Sequence, residues 1–257
     1  MKRKELEEER GQFVVKANSM IQRNRYSLTL QQHRIILYLI SKIKPDDTID
    51  TWYTFDIKSL CEVCGIRVRG GYYYESIKAD LRQLDKTDFY IMPNDEEWSI
   101  AWLGAVRMNK GDSTVKVRFH PNIEPFLFRL REFYTQYPLE SVLAFKSSYS
   151  IRLYETLQSY ISSRKLSRDI PQQVDLTLDE FRRCLDVQSY PRWADLDRHV
   201  LSKGVAEINT YSPDIHVSYT TRKTGRSVSA VVFTVEQPTP LASLTASRNR
   251  RQELDGY

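Results

Sequence analysis

Hydrophobic positions along the chain form two series with the same order of predicted elements. The first series opens at residues 26–43, where apolar side chains recur every three or four residues, the spacing of an amphipathic helix. Residues 51–55 alternate between β-forming and polar types, which predicts a short strand. Two helices and three strand-like segments follow, predicted over 56–64, 72–86, 89–92, 99–108 and 114–119.

The second series repeats this order. Its helices, strand and hairpin are predicted over 146–161, 173–176, 177–185, 193–211, 215–221 and 227–235. Thr177 and Glu180 have the spacing of a capping box and predict where the helix 177–185 begins. On the long helix the inward-facing positions are predicted at Leu196, Val200, Leu201, Val205 and Ile208.

A helix, a strand, a short helix, a longer helix and a β-hairpin, in that order, are typical of a winged helix. The longer helix of such a domain enters the major groove of DNA, and the hairpin forms a wing beside it. Two copies predict an α+β fold of tandem winged-helix domains related by duplication. We expect a charged, solvated N-terminal arm over 1–11, domains over 12–138 and 139–235, and a disordered tail over 236–257.

The net charge of +5 is compatible with a nucleic-acid partner but does not establish one. Residues 1–11 and 236–257 each carry as many basic as acidic side chains, so the whole excess lies between them. Any DNA-binding surface must therefore come from local clusters of cations. No run approaches the ~20 apolar residues of a membrane-spanning helix. The charged N-terminus does not resemble a secretory signal, so we expect a cytoplasmic protein without membrane contact.

The cysteines offer the only hint of metal or redox chemistry. Cys61 and Cys64 form a CxxC, but a zinc site needs about four ligands, and the sequence has no second CxxC or closely spaced Cys/His pair. Both alternate with apolar residues in 60–66, which favours packing on a buried helix face over a redox role. The sequence predicts no metal, no cofactor and no catalytic residue.

Cations and hydroxyls cluster at three places in the second series. The long helix presents outward Arg192, Asp195, Arg198, His199, Ser202 and Lys203. The hairpin tip carries Arg222, Lys223 and Arg226 without an acid between Asp214 and Glu236, so these cations repel one another unless a polyanion is present. The helix 146–161 begins with Lys146, Ser147, Ser148 and Arg152, group types that suit a phosphate. The alternative is a solvated helix face.

The first series offers parallel candidates. These are Lys78 and Arg82 on the helix 72–86 and Lys110 at the hairpin turn, with Arg67 and Arg69 nearby. Asp80, Asp85 and Asp88 dilute this patch. We therefore expect a weaker DNA-binding surface, or one shared with a dimer interface.

Four segments resemble the initiator family of iteron-containing plasmids, the replication proteins that bind short direct repeats at the origin. They are 24–37, 146–155, 176–182 and 197–209, and the resemblance covers roughly residues 12–235. Ser148-Tyr-Ser-Ile-Arg-Leu-Tyr-Glu155 is the most specific, because its residues exceed what helix packing requires. Gly204 stands where the family pattern suggests proline, and the run 70–74 is also less typical.

The resemblance implies two winged helices, of which the C-terminal one makes the main contacts to double-stranded DNA and the N-terminal one serves dimerisation and DNA contact. It implies that dimers repress the protein's own promoter at an inverted repeat, while monomers bind the origin's direct repeats. The implied host partners are a DnaA-type initiator, the replicative helicase and chaperones that dissociate dimers.

Three other functions compete with this one. A nicking replication enzyme would need paired histidines and a nucleophilic tyrosine, but the four histidines are isolated in sequence and no phosphate-binding Gly-rich loop is present. A transcriptional repressor without a replication role is the closest alternative, since the same fold serves both. A protein-interaction module would leave the cationic hairpin tip without a purpose.

Overall fold

The fold begins with two short helices and two short strands. The computed structural model describes residues 1–67, 72–91, 97–108, 111–163 and 170–255. Its first elements are α1 (Arg3–Arg10), β1 (Phe13–Ala17), α2 (Asn18–Gln22) and β2 (Asn24–Arg25).

The predicted solvated arm is instead a helix packed against the first domain. Arg10, the last residue of α1, is only 6% exposed. Its guanidinium donates to the Val63 carbonyl at 3.1 Å and to the Glu62 carbonyl at 3.0 Å. The N-terminal amine donates to the Glu62 carboxylate at 2.9 Å. The local sequence does not reveal these contacts, because their partners lie more than 50 residues away.

The first winged-helix unit combines three helices with two hairpins. Its helices are α3 (Leu30–Ile40), α4 (Ile57–Cys64) and α5 (Tyr72–Leu84). Its strands are β3 (Tyr53–Asp56), β4 (Asp88–Ile91), β5 (Trp98–Ala101), β6 (Leu103–Met108) and β7 (Thr114–Phe119). Thr29 and Asp56 cap α3 and α4 by accepting the backbone N–H groups of Gln32 and Ser59.

The predicted single strand over 99–108 is divided between two sheets. One sheet has the order β2-β4-β5 and the other β3-β7-β6. The break falls at Trp102, which is 1% exposed and packs against Tyr26 and Phe89 with ring centroids 5.0 and 4.7 Å apart. The buried indole therefore lies at the corner where the chain leaves one sheet and enters the other.

A short connection and a long central helix lead to the second unit. The connection contains a 3₁₀ turn (Pro121–Ile123), α6 (Glu124–Leu127), β8 (Tyr134–Pro138) and α7 (Glu140–Leu143), and β8 pairs antiparallel with β1. Helix α8 (Ser148–Ser163) was predicted to be amphipathic, yet residues 151–159 are all buried. Because α2 and β8 cover one side of α8 and later helices cover the other, its polar face is buried as well.

The second unit has the predicted winged-helix order. It consists of β9 (Gln172–Thr177), α9 (Leu178–Leu185), α10 (Trp193–Leu196), α11 (Ser202–Tyr211), β10 (His216–Thr224) and β11 (Ser227–Glu236). Residues Asp197–Leu201 join α10 to α11 as a π-wound turn, so that 193–211 is one helix with a widened middle. The sheet order is β10-β11-β9. A Cβ on Gly204 would lie 3.0 Å from Leu153, so glycine allows α11 to approach α8 closely.

The tail predicted to be disordered forms helix α12 (Pro240–Asp255), which contacts both domains. Ala246, Arg250 and Leu254 are buried, and Arg250 donates to Glu140 at 2.8 Å. Asp255 accepts from Arg10 at 2.8 Å. Only two of its three inward residues are apolar, so the sequence shows little amphipathic pattern, and tertiary contacts stabilise the helix. No helix within the described ranges is both long and apolar enough to cross a membrane.

Candidate nucleic-acid interface

The reading helix, defined as residues 193–211, is anchored by apolar side chains on its inner face. All five predicted inward residues are buried, with exposed fractions of 9% or less, which confirms the predicted orientation of the helix. The helix before it, α9, begins with the predicted capping box: the Thr177 hydroxyl accepts the Glu180 backbone N–H, and the Glu180 carboxylate accepts the Thr177 backbone N–H. These two features set the position of the reading helix in its domain.

Five of the six predicted outward residues of the reading helix are exposed, and the sixth, Asp195, is half-buried. The exposed ones are Arg192, Arg198, His199, Ser202 and Lys203. Asp197, which is half-buried beside Arg198, accepts hydrogen bonds from Tyr219 on β10 at 2.6 Å and from Ser202 at 3.1 Å. Burial, followed by the bond to Asp197, raises the pKa of Tyr219, so this hydroxyl stays protonated and donates. The Asp197 carboxylate is thus directed towards the wing strand.

The turn that precedes the reading helix is held by an arginine that the sequence did not single out. Arg182 of α9 donates to the carbonyls of Tyr190 and Pro191 at 2.7 and 2.9 Å. The Tyr190 ring stacks on His199 with centroids 6.0 Å apart. No periodic pattern marks Arg182, because its partners are backbone carbonyls in an irregular segment. The two hydrogen bonds from the Arg182 guanidinium fix the turn and so place Arg192 at the start of the reading helix.

The wing is a long hairpin with a two-residue turn. Gly225 takes a left-handed φ of 62°, and Thr224 pairs with Ser227 across the turn. Lys223 and Arg226 are exposed and have no ion pair with any described residue. Arg222 differs from the prediction of three uncompensated cations, because it forms an ion pair with Asp175 of β9, the strand on the far side of β11. That acid lies 47 residues away in sequence, outside the acid-free stretch between Asp214 and Glu236.

The predicted phosphate site at the start of α8 already has protein partners. The backbone N–H of Lys146 donates to the Glu207 carboxylate at 2.8 Å, and its ammonium pairs with Glu253 of α12. The Ser147 hydroxyl accepts the Tyr149 backbone N–H at 3.1 Å, and Ser148, the first residue of α8, is half-buried. Two carboxylates therefore lie where the prediction placed a phosphate.

Arg152 was predicted to contact DNA, and this prediction is wrong. Its side chain is 4% exposed. Its guanidinium donates to the carbonyls of Cys184, Tyr26 and Asn24, the last two at 2.7 and 3.3 Å, and lies 3.9 Å from the centroid of the Tyr26 ring. Arg152 therefore connects α8 to α9 and to the segment before α3. Arg152 lies one helical turn after the start of α8, and nothing in the local sequence indicates that it is buried.

Arg152 belongs to a group of six buried polar side chains, which we call the junction cluster. Its members are Lys16, Tyr26, His33, Tyr137, Arg152 and Glu155. Glu155 pairs with Lys16 and accepts the Tyr137 hydroxyl, so its charge is already compensated. His33 Nε2 lies 3.2 Å from the Tyr26 hydroxyl and 3.9 Å from Glu155. Burial, together with the charges of Lys16 and Arg152, lowers the pKa of His33 well below 6.5, so the imidazole is neutral.

The predicted cations of the first unit, Lys78 and Arg82, differ in their surroundings. Lys78 pairs with Glu75 at 3.5 Å, and its side chain is 12% exposed. Arg82 is exposed on α5. Lys110 and Arg69 lie outside the described residues. Asp80, expected to dilute this patch, instead accepts hydrogen bonds from Gln31 and Gln32 of α3 at 2.6 and 3.0 Å.

The CxxC cysteines pack in the core of the first unit. Cys61 and Cys64 are both buried and unpaired, and burial raises the pKa of each thiol to about 12. This confirms the predicted packing role and keeps both thiols protonated at neutral pH. In the described part of the chain, no group of three or more His, Cys, Asp or Glu side chains is arranged to hold a metal ion.

Comparison with known proteins supports the duplicated fold. The family model described as "Initiator Replication protein, WH1" matches residues 13–158, and "Initiator Rep protein, WH2" matches residues 177–235. A curated replication initiation protein of Escherichia coli is 25% identical over 249 residues, which cover 95% of this chain and 75% of that protein. The fold also matches a crystal structure of the Pi initiator protein in complex with iteron DNA. The TM-score is 0.70 at 16% identity, covering 90% of this chain and 99% of that chain.

At 16% identity, the match to the Pi initiator shows a shared fold. The family models carry more weight, because the first alone spans more than half of the chain and the second covers most of the remaining winged-helix unit. The chain therefore belongs to the initiator replication protein family, with a winged-helix domain in each half.

Proposed function

We propose that this protein initiates replication of a bacterial plasmid by binding short direct repeats, or iterons, in double-stranded origin DNA. The observation that carries the proposal is the reading surface, which we define as Arg192, Arg198, His199, Lys203, Lys223 and Arg226. These side chains are exposed on the reading helix and on the wing of one domain. The acid nearest to them in sequence, Asp197, is bound to Tyr219 and Ser202.

In this proposal the reading helix enters the major groove with its N-terminal half, where Arg198 makes bidentate contact with a guanine. Lys223 and Arg226 contact phosphates and contribute affinity without base preference. In this proposal the protein acts by binding DNA. A shared fold with an initiator crystallised on iteron DNA supports this arrangement.

The proposal includes a division of labour between oligomeric states. Monomers bind iterons through the second domain, and dimers formed through the first domain repress the protein's own promoter at an inverted repeat. A DnaA-type initiator, the replicative helicase and chaperones that dissociate dimers are the host partners. These roles rest on family membership.

The test is a gel-shift titration of the full chain against DNA flanking its own gene, with nonspecific competitor and at two salt concentrations. We expect a ladder of discrete complexes, one for each direct repeat. A matched titration with Arg198→Ala is expected to lose the ladder at protein concentrations where the wild type shows it. A single complex on an inverted repeat, with no ladder, would favour a repressor without a replication role.

Replication itself is tested in cells. A plasmid that carries only this gene and its flanking repeats is expected to replicate, whereas the same plasmid encoding Arg198→Ala is expected to be lost. Failure of the wild-type plasmid to replicate, despite specific binding in vitro, would contradict the initiator role and leave repression as the function.

A further inference from the structure

Helix α12 bridges the two winged-helix units and belongs to neither of them. Near its C-terminal end, Leu254 packs on Gly65 of the first unit, where an added Cβ would lie 3.0 Å from the leucine side chain. Near its N-terminal end, the Ser243 hydroxyl donates to the Pro213 carbonyl of the second unit at 2.8 Å. The family models end at residue 235, so family membership assigns no role to this helix.

Two of the ion pairs that attach α12 to its neighbours lie at the surface. Glu253 pairs with Lys146, whose side chain is 44% exposed. Asp255 pairs with Arg10 at 2.8 Å, and the aspartate side chain is 46% exposed. Ion pairs that water reaches contribute little to stability, and dissolved salt screens them further. These two pairs therefore hold the C-terminal end of α12 only weakly.

A third ion pair is buried, and its arginine is incompletely bonded. Arg250 donates to Glu140 through Nη2 at 2.8 Å. Its Nε and Nη1 atoms are also buried, and neither has a hydrogen-bond partner among the described residues. A buried donor without a partner destabilises the state in which it is buried. Docking of α12 therefore carries a penalty that offsets part of the contacts it makes.

The apolar side chains of α12 do not all face the protein. Two of its three leucines, Leu241 and Leu244, are 75% and 70% exposed. The inward side is formed by Ala246, Arg250 and Leu254. A surface helix is normally held by an apolar stripe turned towards the core, and α12 has little of one. Segments with few buried apolar contacts open at a low free-energy cost, while the rest of the protein stays folded.

We propose that α12 is a releasable strap, which docks across both winged-helix units, fixes their relative orientation and detaches while both units remain folded. When the strap is released, its contacts with Gly65 and Pro213 are both lost. The units then stay joined through α8 and the junction cluster, and their relative orientation is less restricted. Salt screens the ion pairs of Glu253 and Asp255, so higher ionic strength favours release.

Hydrogen exchange of the full chain, followed by mass spectrometry, measures release of the strap. After correction for intrinsic exchange rates, amides of α12 are expected to exchange at least about 100-fold faster than those of α8. Raising KCl from about 0.05 to about 0.5 M is expected to speed exchange in α12 and to leave α8 unchanged. Equal protection of the two helices would overturn the proposal, because α12 would then open only when the whole protein unfolds.

Pulsed electron–electron double resonance tests whether the docked strap fixes the orientation of the units. Spin labels are attached at Thr54→Cys of the first unit and Thr220→Cys of the second, since both positions are exposed and the three native cysteines are buried. The variant A246E/L254E places two charges on the inward side of α12 and keeps the helix undocked. It is expected to broaden the distance distribution by about twofold or more relative to the wild type.

The matched control is L241E/L244E, which adds the same charge to the outward side of the same helix. It is expected to leave both the distance distribution and the exchange of α12 as in the wild type. The proposal is overturned if A246E/L254E has the wild-type distribution, or if the control broadens it equally. Circular dichroism melting gives the last check, because loss of cooperative unfolding in A246E/L254E alone would make α12 part of the core and not a strap.

Discussion

The junction cluster and the reading surface use the same residue types in opposite ways. In the junction cluster, Arg152 and Lys16 are buried and bonded to carbonyls and a carboxylate from distant segments. On the reading surface, Arg198 and Lys223 are exposed and have no ion pair with a described residue. A buried charge without a partner destabilises the fold, so Arg152 and Lys16 need their protein partners. Arg198 and Lys223 are solvated by water and can therefore bind a ligand. Charge alone therefore does not distinguish a residue that holds the domains together from one that binds DNA.

Arg152→Ala should produce the largest effect, on stability. Removing the guanidinium takes the donor away from three carbonyls, those of Cys184, Tyr26 and Asn24, in a buried site. Because each buried acceptor without a partner costs about 1–3 kcal/mol, we expect a loss of about 3–5 kcal/mol in the free energy of unfolding, measured by urea denaturation. As a control, Arg198→Ala is expected to change stability by less than about 0.5 kcal/mol, because it lies at the surface. A loss below about 1 kcal/mol for Arg152→Ala would show that the junction cluster does not hold the domains together.

Arg198→Ala should instead affect binding. We expect specific affinity to fall by about 1–3 kcal/mol and preference to relax at one base pair, because a bidentate guanine contact is lost. Competition titrations against duplexes that differ at single positions measure both effects. If affinity for a duplex that carries one direct repeat is unchanged, the choice of Arg198 as the base-reading residue is wrong.

His33→Gln tests the junction cluster through pH. The pKa of His33 is lowered well below 6.5 in the folded chain, whereas in the unfolded chain it titrates near 6.5. Below about pH 6.5 the unfolded state therefore binds a proton that the native state does not, and stability falls on acidification. The slope from this one group approaches about 1.4 kcal/mol per pH unit.

Denaturation series between pH 7.5 and 5.5 give this contribution as the difference between wild type and His33→Gln. The difference is expected to be constant above about pH 7, where His33 is neutral in both states, and to change in favour of the variant below it. A difference that does not change over the whole series would mean that His33 has the same pKa in the folded and unfolded states, which contradicts its burial in the junction cluster as a neutral group.

Lys223→Gln should give the smallest effect. A phosphate contact at the wing tip contributes affinity without base preference, so we expect a loss of about tenfold or less at 0.1 M salt, equal for all sequences. The slope of log K against log salt should fall by about one. The same titrations measure this, and a loss larger for the direct-repeat duplex than for a random one would assign Lys223 to base reading.

The two winged-helix units show why the sequence was informative in some places and not in others. Leu196, Val200 and Ile208 recur at helical spacing because one face of the reading helix packs on its own domain and the other meets water. Helix α8 has no such contrast, since both of its faces are buried and its inward polar residues include Arg152 and Glu155. Hydrophobic periodicity marks a helix that has one buried face and one face in water. Most of α8 is buried on both faces, so its sequence does not show which polar residues lie inside.

The sequence by itself determined the winged-helix order of the second unit, the capping box at Thr177, the inner face of the reading helix and the exposure of Arg198 and Lys223. Each of these depends on residues close together in the chain or on contact with water. Only the tertiary structure showed that Arg152 is buried, that Asp175 pairs with Arg222 and that α12 packs against both domains. These features depend on partners far away in sequence, and the energy of a buried charge is decided by the groups that fold against it.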